Sequence, residues 1–221
     1  MLDRRVLNIF KFGLERHIRD FRDNGHIYMN PLSYFVRLEE DESRSDPNEA
    51  LTYNLPATGG KLNRRQDGEW IEMGTIAGSV RYSHDEDRRG NVFCMYALCH
   101  NESPDTTIDP RNFKFGDTFA VIVNAEEFLR RVAQAAAELD HTLRTDMVEY
   151  VDSQTYRGKM GIFRKFSTFA YQSEFRLALV PGKEEPYDLC VGSLSDIVKI
   201  GPLRDINERM VFTPGRDGLV W

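Results

Sequence analysis

The sequence predicts an α+β fold, a strongly bent and mainly antiparallel sheet with a few helices packed against it. Three observations carry this expectation. Apolar runs with strand character recur along the chain, only two segments show a clear helical period, and no internal repeat or low-complexity linker interrupts them. With 221 residues, 41% hydrophobic and 29% charged, the chain suits a single domain, 1–221, with a substantial core.

Residues 6–12 read as a first strand that Gly13 ends. Leu14, Ile18 and Phe21, spaced by four and three, mark a short amphipathic helix that stops at Asn24-Gly25. Residues 26–30 form a second strand, terminated by Pro31, and 32–38 continue as a turn of helix. The acidic run 39–49 has neither the spacing nor the central glycine of an EF-hand, so a solvated loop is expected. Segment 50–90 is weakly patterned and glycine-rich and reads as an inserted lobe or mobile segment, with short strands at 71–76 and 79–82. Residues 91–99 and 118–123 are the most apolar strands. The second leads into the best helix of the chain, with Asn124 as cap, Glu127 three residues on, and Phe128, Val132, Ala135, Ala136 and Leu139 as its buried stripe. Strands at 147–151, 175–180 and 197–200 complete the pattern, with Pro181-Gly182 as a turn.

Composition excludes several classes of function. No apolar run approaches the roughly 20 residues of a membrane span, and the N-terminus lacks the apolar segment of a signal peptide, so a cytoplasmic location with no membrane partner is expected. Cys94, Cys99 and Cys190 are an odd number without a C-x-x-C pair, and the five histidines are scattered, which points to no disulfide framework and no metal site. Cys99-His100 is the only close Cys/His pair, and it comes with no triad order. A net charge of −6 argues against coating nucleic acid by charge alone. Local basic clusters, such as Lys61 with Arg64-Arg65 and Lys159 with Arg164-Lys165, still allow phosphate contacts.

Chemistry concentrates near the C-terminus. On a strand, Gln172, Glu174 and Arg176 share one face while Phe175, Leu177 and Leu179 share the other. If the polar face borders a cleft, an amide and a carboxylate converge on one ligand. If it borders solvent, they are the wet side of a half-buried strand.

These residues carry a resemblance. A strand, a short helix, Asn24-Gly25 and a strand with Ile27-Tyr28-Met29-Asn30 resemble the opening of the ADP-ribosyltransferase superfamily, which includes toxins that modify nucleic acid, and Gln172-x-Glu174 resembles its Q-x-E element. The chain also resembles a widespread bacterial family of unknown function. Ser45-Asp46-Pro47-Asn48-Glu49 loosely matches that family's N-D-P-F-E phrase, and Tyr171-Gln172-Ser173-Glu174-Phe175-Arg176 matches its late aromatic-x-x-E-[FW]-R phrase. Two departures stand out. Lys11 occupies the first-strand position where the transferases place Arg or His, and Ser167-Thr168-Phe169 lies too near Glu174 to match their Ser-Thr-Ser phrase.

The resemblance implies an ADP-ribosyltransferase-like fold with NAD as substrate. Glu174 would hold the ribose 2′-hydroxyl and face the positive charge that develops as the nicotinamide–ribose bond breaks, and Gln172 would orient the acceptor. Tyr28 or Tyr34 would stack on nicotinamide, and Lys11 or Arg37 would contact the pyrophosphate. The implied activity is mono-ADP-ribosyl transfer to a macromolecule, nucleic acid or protein, in a bacterial or phage-conflict toxin, with an antitoxin or inhibitor as a further partner. The alternative is a non-catalytic binding or regulatory module on the same fold, with Glu174 paired to a residue such as Arg176 or Arg164.

Overall fold

The computed structural model describes residues 6–37, 46–49, 51–83, 90–99 and 107–208. Its hub is strand β7 (Asn91–Cys99), buried on both faces, which is why its sequence is a continuous apolar run and not an alternation. Along one edge lies β13 (Glu174–Val180), from Glu174 opposite Tyr96 to Leu179 opposite Asn91, with β9 (Thr142–Met147) beyond it. Two strands share the other edge. β2 (His26–Pro31) pairs there through Asn30 and Pro31 with Val92 and Asn91, and β1 (Val6–Gly13) pairs with the stretch from Tyr96 to Cys99. β1 and β2 therefore part along 93–95. β1 continues against β8 (Thr118–Ile122) and then β15 (Val198–Pro202), while β2 continues against β14 (Tyr187–Cys190). All these pairings are antiparallel. A parallel pair joins β10 (Glu149–Val151) to β12 (Arg164–Phe166). The architecture is thus mixed α/β with mainly antiparallel sheets and few helices.

Helix α1 (Glu15–Asn24) links the two diverging strands and buries Ile18 and Phe21. It ends at Gly25, whose φ of 70° is the left-handed cap position and whose N–H donates to the Phe21 carbonyl. A Cβ there would also lie 1.9 Å from the Gly192 carbonyl oxygen, so glycine is needed for space as well as for φ. Helix α3 (Ala125–Ala137) starts as its cap residues require, with the Asn124 side chain accepting the Glu127 N–H at 3.1 Å, and buries Phe128, Val132 and Ala136. Both helices pack on one face of the sheet, against Ile9, Phe93, Phe175 and Leu177. The opposite face forms a second core around Phe10, Phe12, Leu98 and Phe119. Helix α2 (Leu32–Arg37) follows β2 directly. No helix among the described residues is long and apolar enough to cross a membrane.

Several elements differ from the sequence expectation. Segment 50–90 holds four strands where two were expected: β3 (Tyr53–Pro56), β4 (Lys61–Gln66), β5 (Glu69–Thr75) and β6 (Ser79–Tyr82). β3 pairs with β6 and with β11 (Gly158–Lys159). β4 and β5 form a hairpin turned by Asp67 and Gly68, both at positive φ. Almost every hairpin residue is exposed, so neither face has an apolar stripe for periodicity to detect. The single strand expected at 147–151 is two, ending β9 and forming β10. β14 was not foreseen, because its four residues, Tyr-Asp-Leu-Cys, carry little pattern. The charged turn at 84–89, His100 and most of the acidic run, 39–45, lie outside the described residues.

Candidate functional site

Where β1 and β2 part, they open a cleft of about 600 Å³. β2 lines it at a period of two, with His26, Tyr28 and Asn30 facing the cleft while Ile27 and Met29 enter the core. β1 supplies Lys11, Phe12 and Gly13, and the stretch 93–96 of β7 lies between. Lys11 Nζ donates to the Cys94 carbonyl at 2.8 Å and sits 4.3 Å from the centre of the Phe93 ring. It gives that carbonyl a hydrogen bond at the point where the two neighbouring strands separate.

The residues expected at a site divide into three groups. Gln172 and Glu174 come together beside the cleft. Lys11, Tyr28 and Tyr34 line its walls, with Tyr28 56% and Tyr34 39% exposed. Arg37 does not join them: it lies outside the lining of the cleft, donates to Ser33 Oγ at 2.8 Å and faces Glu184 at 3.8 Å.

The route by which Gln172 meets Glu174 differs from the expectation. Gln172 is not on the strand. It ends a 3-10 turn, 167–172, and Ser173 then takes a left-handed conformation, φ 39°, before β13 begins at Glu174. That residue breaks the two-residue period on which a shared strand face depended. Ser173 is held there by its Oγ donating to the Ala97 carbonyl at 2.7 Å, and Ala97 N–H returns a 2.7 Å bond to Ser173 O. Lys165 on β12 then joins the two side chains, donating to Gln172 Oε1 at 2.8 Å and to Glu174 Oε1 at 2.9 Å.

Neither half of the expected polar face is wet. Glu174 is 7% and Arg176 1% exposed, so the solvent-facing alternative is corrected. Arg176 Nε donates to Glu174 Oε2 at 2.7 Å, and its two terminal nitrogens grip Glu49 at 2.9 Å each. Lys165 lies 3.5 Å from Glu49 and 3.9 Å from Asp46. The solvated reading of the acidic run is corrected at two residues of its described part: 46–49 is a turn, but Asp46 and Glu49 in it are buried, because Arg176 and Lys165 supply the opposite charge that makes burial tolerable. Asp46 and Glu49 of the S-D-P-N-E phrase thus meet Gln172, Glu174 and Arg176 of the Y-Q-S-E-F-R phrase in one polar cluster beside the cleft.

Electrostatics follow from this geometry. Burial by itself would raise the Glu174 carboxyl, but Arg176 and Lys165 outweigh it and hold the group well below the usual carboxylate range. Burial works against the Lys165 charge, and Glu174 and Glu49 more than restore it. Burial, then Glu49, push Asp46 up to about 6. The Cys94 thiol, also lining the cleft, is pushed up to about 12 by burial and then by Glu174, which keeps it protonated and unsuited to nucleophilic attack at neutral pH. The arrangement holds a carboxylate ionised at the cleft, oriented by Lys165 on one oxygen and Arg176 on the other.

Three members of the cluster, Lys165, Asp46 and Glu49, were absent from the sequence-based site. Lys165 was hidden in a basic cluster that suggested phosphate contacts, and at 5% exposure it is closed to them. Among the described residues no group of three or more His, Cys, Asp or Glu is arranged to hold a metal ion. No protein-family model, curated protein or solved structure significantly matches the chain.

Proposed function

We propose that this chain is an NAD-dependent mono-ADP-ribosyltransferase of ADP-ribosyltransferase-like fold, acting on a macromolecule from the cleft between β1 and β2. The observation that carries this reading is Glu174, held as a carboxylate at the cleft with Gln172 on the same lysine. In the reaction the bond between nicotinamide N1 and ribose C1′ breaks, and its electron pair leaves on nicotinamide. C1′ gains positive charge, a nucleophilic atom of the acceptor bonds to it, and that atom's proton passes to solvent. Glu174 accepts a hydrogen bond from the ribose 2′-hydroxyl and stabilises the charge at C1′ as it forms. Lys11 is the wall cation offered to the pyrophosphate, and Tyr28 and Tyr34 are the aromatic surfaces offered to the nicotinamide ring. Arg37 drops out of the assignment because it lies outside the cleft lining.

One observation favours a second reading, a binding or regulatory module without catalysis. The Glu174–Arg176 contact at 2.7 Å, with Lys165 on the other oxygen, is the structural pairing such a module would have. Labelled NAD separates the two readings. Wild type and Glu174→Gln are each incubated with radiolabelled NAD and a cell extract, and label is measured in protein and nucleic-acid fractions. Transfer predicts label with wild type and a loss of about a hundredfold or more in the variant, the scale of removing one charge-stabilising group. Because Glu174 is buried between two cations, the variant is assayed below its own melting temperature, checked by circular dichroism. No label and no nicotinamide release from wild type, together with a melting temperature raised by NAD, would favour the module.

A further inference from the structure

We propose that Lys165 is a positioning residue of this site, the group that aligns Gln172 with Glu174. The inference rests on the transferase reading and goes beyond it by assigning a part that neither sequence phrase contains. Its basis is the break at Ser173. With that residue left-handed, chain spacing no longer puts the amide and the carboxylate side by side, so a third group must. Lys165 Nζ is within 2.9 Å of an oxygen on each.

The lysine is itself held for the task. β12 pairs in parallel with β10, which sets Lys165 beside Tyr150, and the Tyr150 hydroxyl accepts the Glu174 N–H at 2.9 Å. Phe169 lies against the ammonium, 4.6 Å from ring centre to Nζ. Arg176 cannot substitute, since its nitrogens are committed to Glu174, Glu49 and the Ile162 carbonyl.

Two effects follow. An ammonium only donates, so the Gln172 oxygen must face it, which fixes the orientation of the amide relative to Glu174. Lys165 also helps keep Glu174 ionised. The other groups facing that carboxylate or its partners are Arg176 on β13, Tyr150 on β10, Cys94 on β7, and Asp46 and Glu49 in the 46–49 segment.

The test measures nicotinamide release by the full chain across pH, with kcat and KM for NAD resolved. Asp46→Asn/Lys165→Met removes one carboxylate with the ammonium, which keeps the cluster's charge balance at neutral pH and above, where Asp46 is ionised, and is compared with Asp46→Asn alone. The expected result is a kcat lower by about tenfold or more, a KM within about threefold, and an acid limb displaced to higher pH. If the double variant does not fold, Lys165→Arg, which retains the charge but not a single bridging nitrogen, becomes decisive, with kcat expected to fall. Wild-type kcat with an unmoved acid limb, or a loss confined to KM, overturns the role of Lys165 and leaves the transferase reading standing. A wild type that releases no nicotinamide overturns both.

Discussion

Arg176 and Arg131 are two arginines in the same arrangement, each clamped between two carboxylates, and they teach opposite lessons. Arg176 joins Glu174 at 2.7 Å and Glu49 at 2.9 Å, while Arg131 on α3 joins Glu127 at 2.8 Å and Asp196 at 2.5 Å. Geometry does not distinguish them. The Arg176 side chain is 1% exposed against 21% for Arg131, and Asp196 is 55% exposed where Glu49 is 2%. Around Arg131, water and salt replace what a mutation removes. Around Arg176 they cannot, so a missing partner strands a charge in a region of low polarity. The buried set is poor evidence of design for stability, because desolvation cancels much of its attraction. What its placement does give is a fixed position for Glu174 beside the cleft.

The largest expected effect comes from Arg176→Met, which leaves Glu49 and Glu174 without their guanidinium. A loss of about 3–5 kcal/mol is expected from urea unfolding, enough to bring a domain of about 5 kcal/mol to the edge of unfolding. Adding Glu49→Gln should recover part of it, and a double variant as unstable as the sum of the singles would break the comparison.

Asp46→Asn sharpens the comparison through pH. The folded carboxyl titrates at about 6 and the unfolded one near 3.8, so between those values the folded state binds more protons. Its contribution to stability is therefore greatest at low pH and is lost as pH rises through that window, at a full cost of about 3 kcal/mol above it. Glu174 runs the other way: its contribution is present above the ordinary carboxylate range and is lost as pH falls. The difference between Asp46→Asn and wild type isolates the first effect. The variant should be the more stable at pH 7.5, by up to that amount, and the advantage should vanish near pH 4. Asparagine retains an oxygen for the Asn48 N–H that Asp46 Oδ1 now accepts at 2.9 Å. A variant with no advantage at pH 7.5 would mean that Lys165 already neutralises Asp46.

The smallest effect belongs to Arg131→Met. Its unfolding midpoint should move by a small fraction of the Arg176→Met shift, and molar salt should abolish the difference. A shift comparable to that of Arg176→Met would show that exposure does not separate the two clusters.

Much of the frame was legible in the chain. Gly25 marked the end of α1, Asn124 with Glu127 marked the start of α3, and the apolar runs gave β1, β7 and β8 nearly to the residue. These are signals that one segment carries alone. What escaped needed a partner from elsewhere. Asp46 and Glu49 looked solvated because the cations that admit them to the interior lie on β12 and β13. Gln172 was placed on a strand because a single left-handed serine, stabilised by the Ala97 carbonyl, has no sequence signature. Of the β4–β5 hairpin only the second strand was expected, at 71–76, and β4 escaped for the opposite reason. With both faces exposed, it offers no contrast between apolar and polar positions.

The Glu49–Arg176 pair also bears on the order in which the chain assembles. The two residues are 127 positions apart, so their contact closes a loop spanning more than half of the chain, a longer one than β13 closes in pairing with β7. β13 can dock on β7 by its apolar side before Glu49 arrives. The ion pair then acts as a clasp fastened over the β7–β13 pair. Loosening it should speed unfolding while leaving the refolding limb of the chevron almost unchanged, so the site's charges would govern how long the native state lasts more than how quickly it is reached.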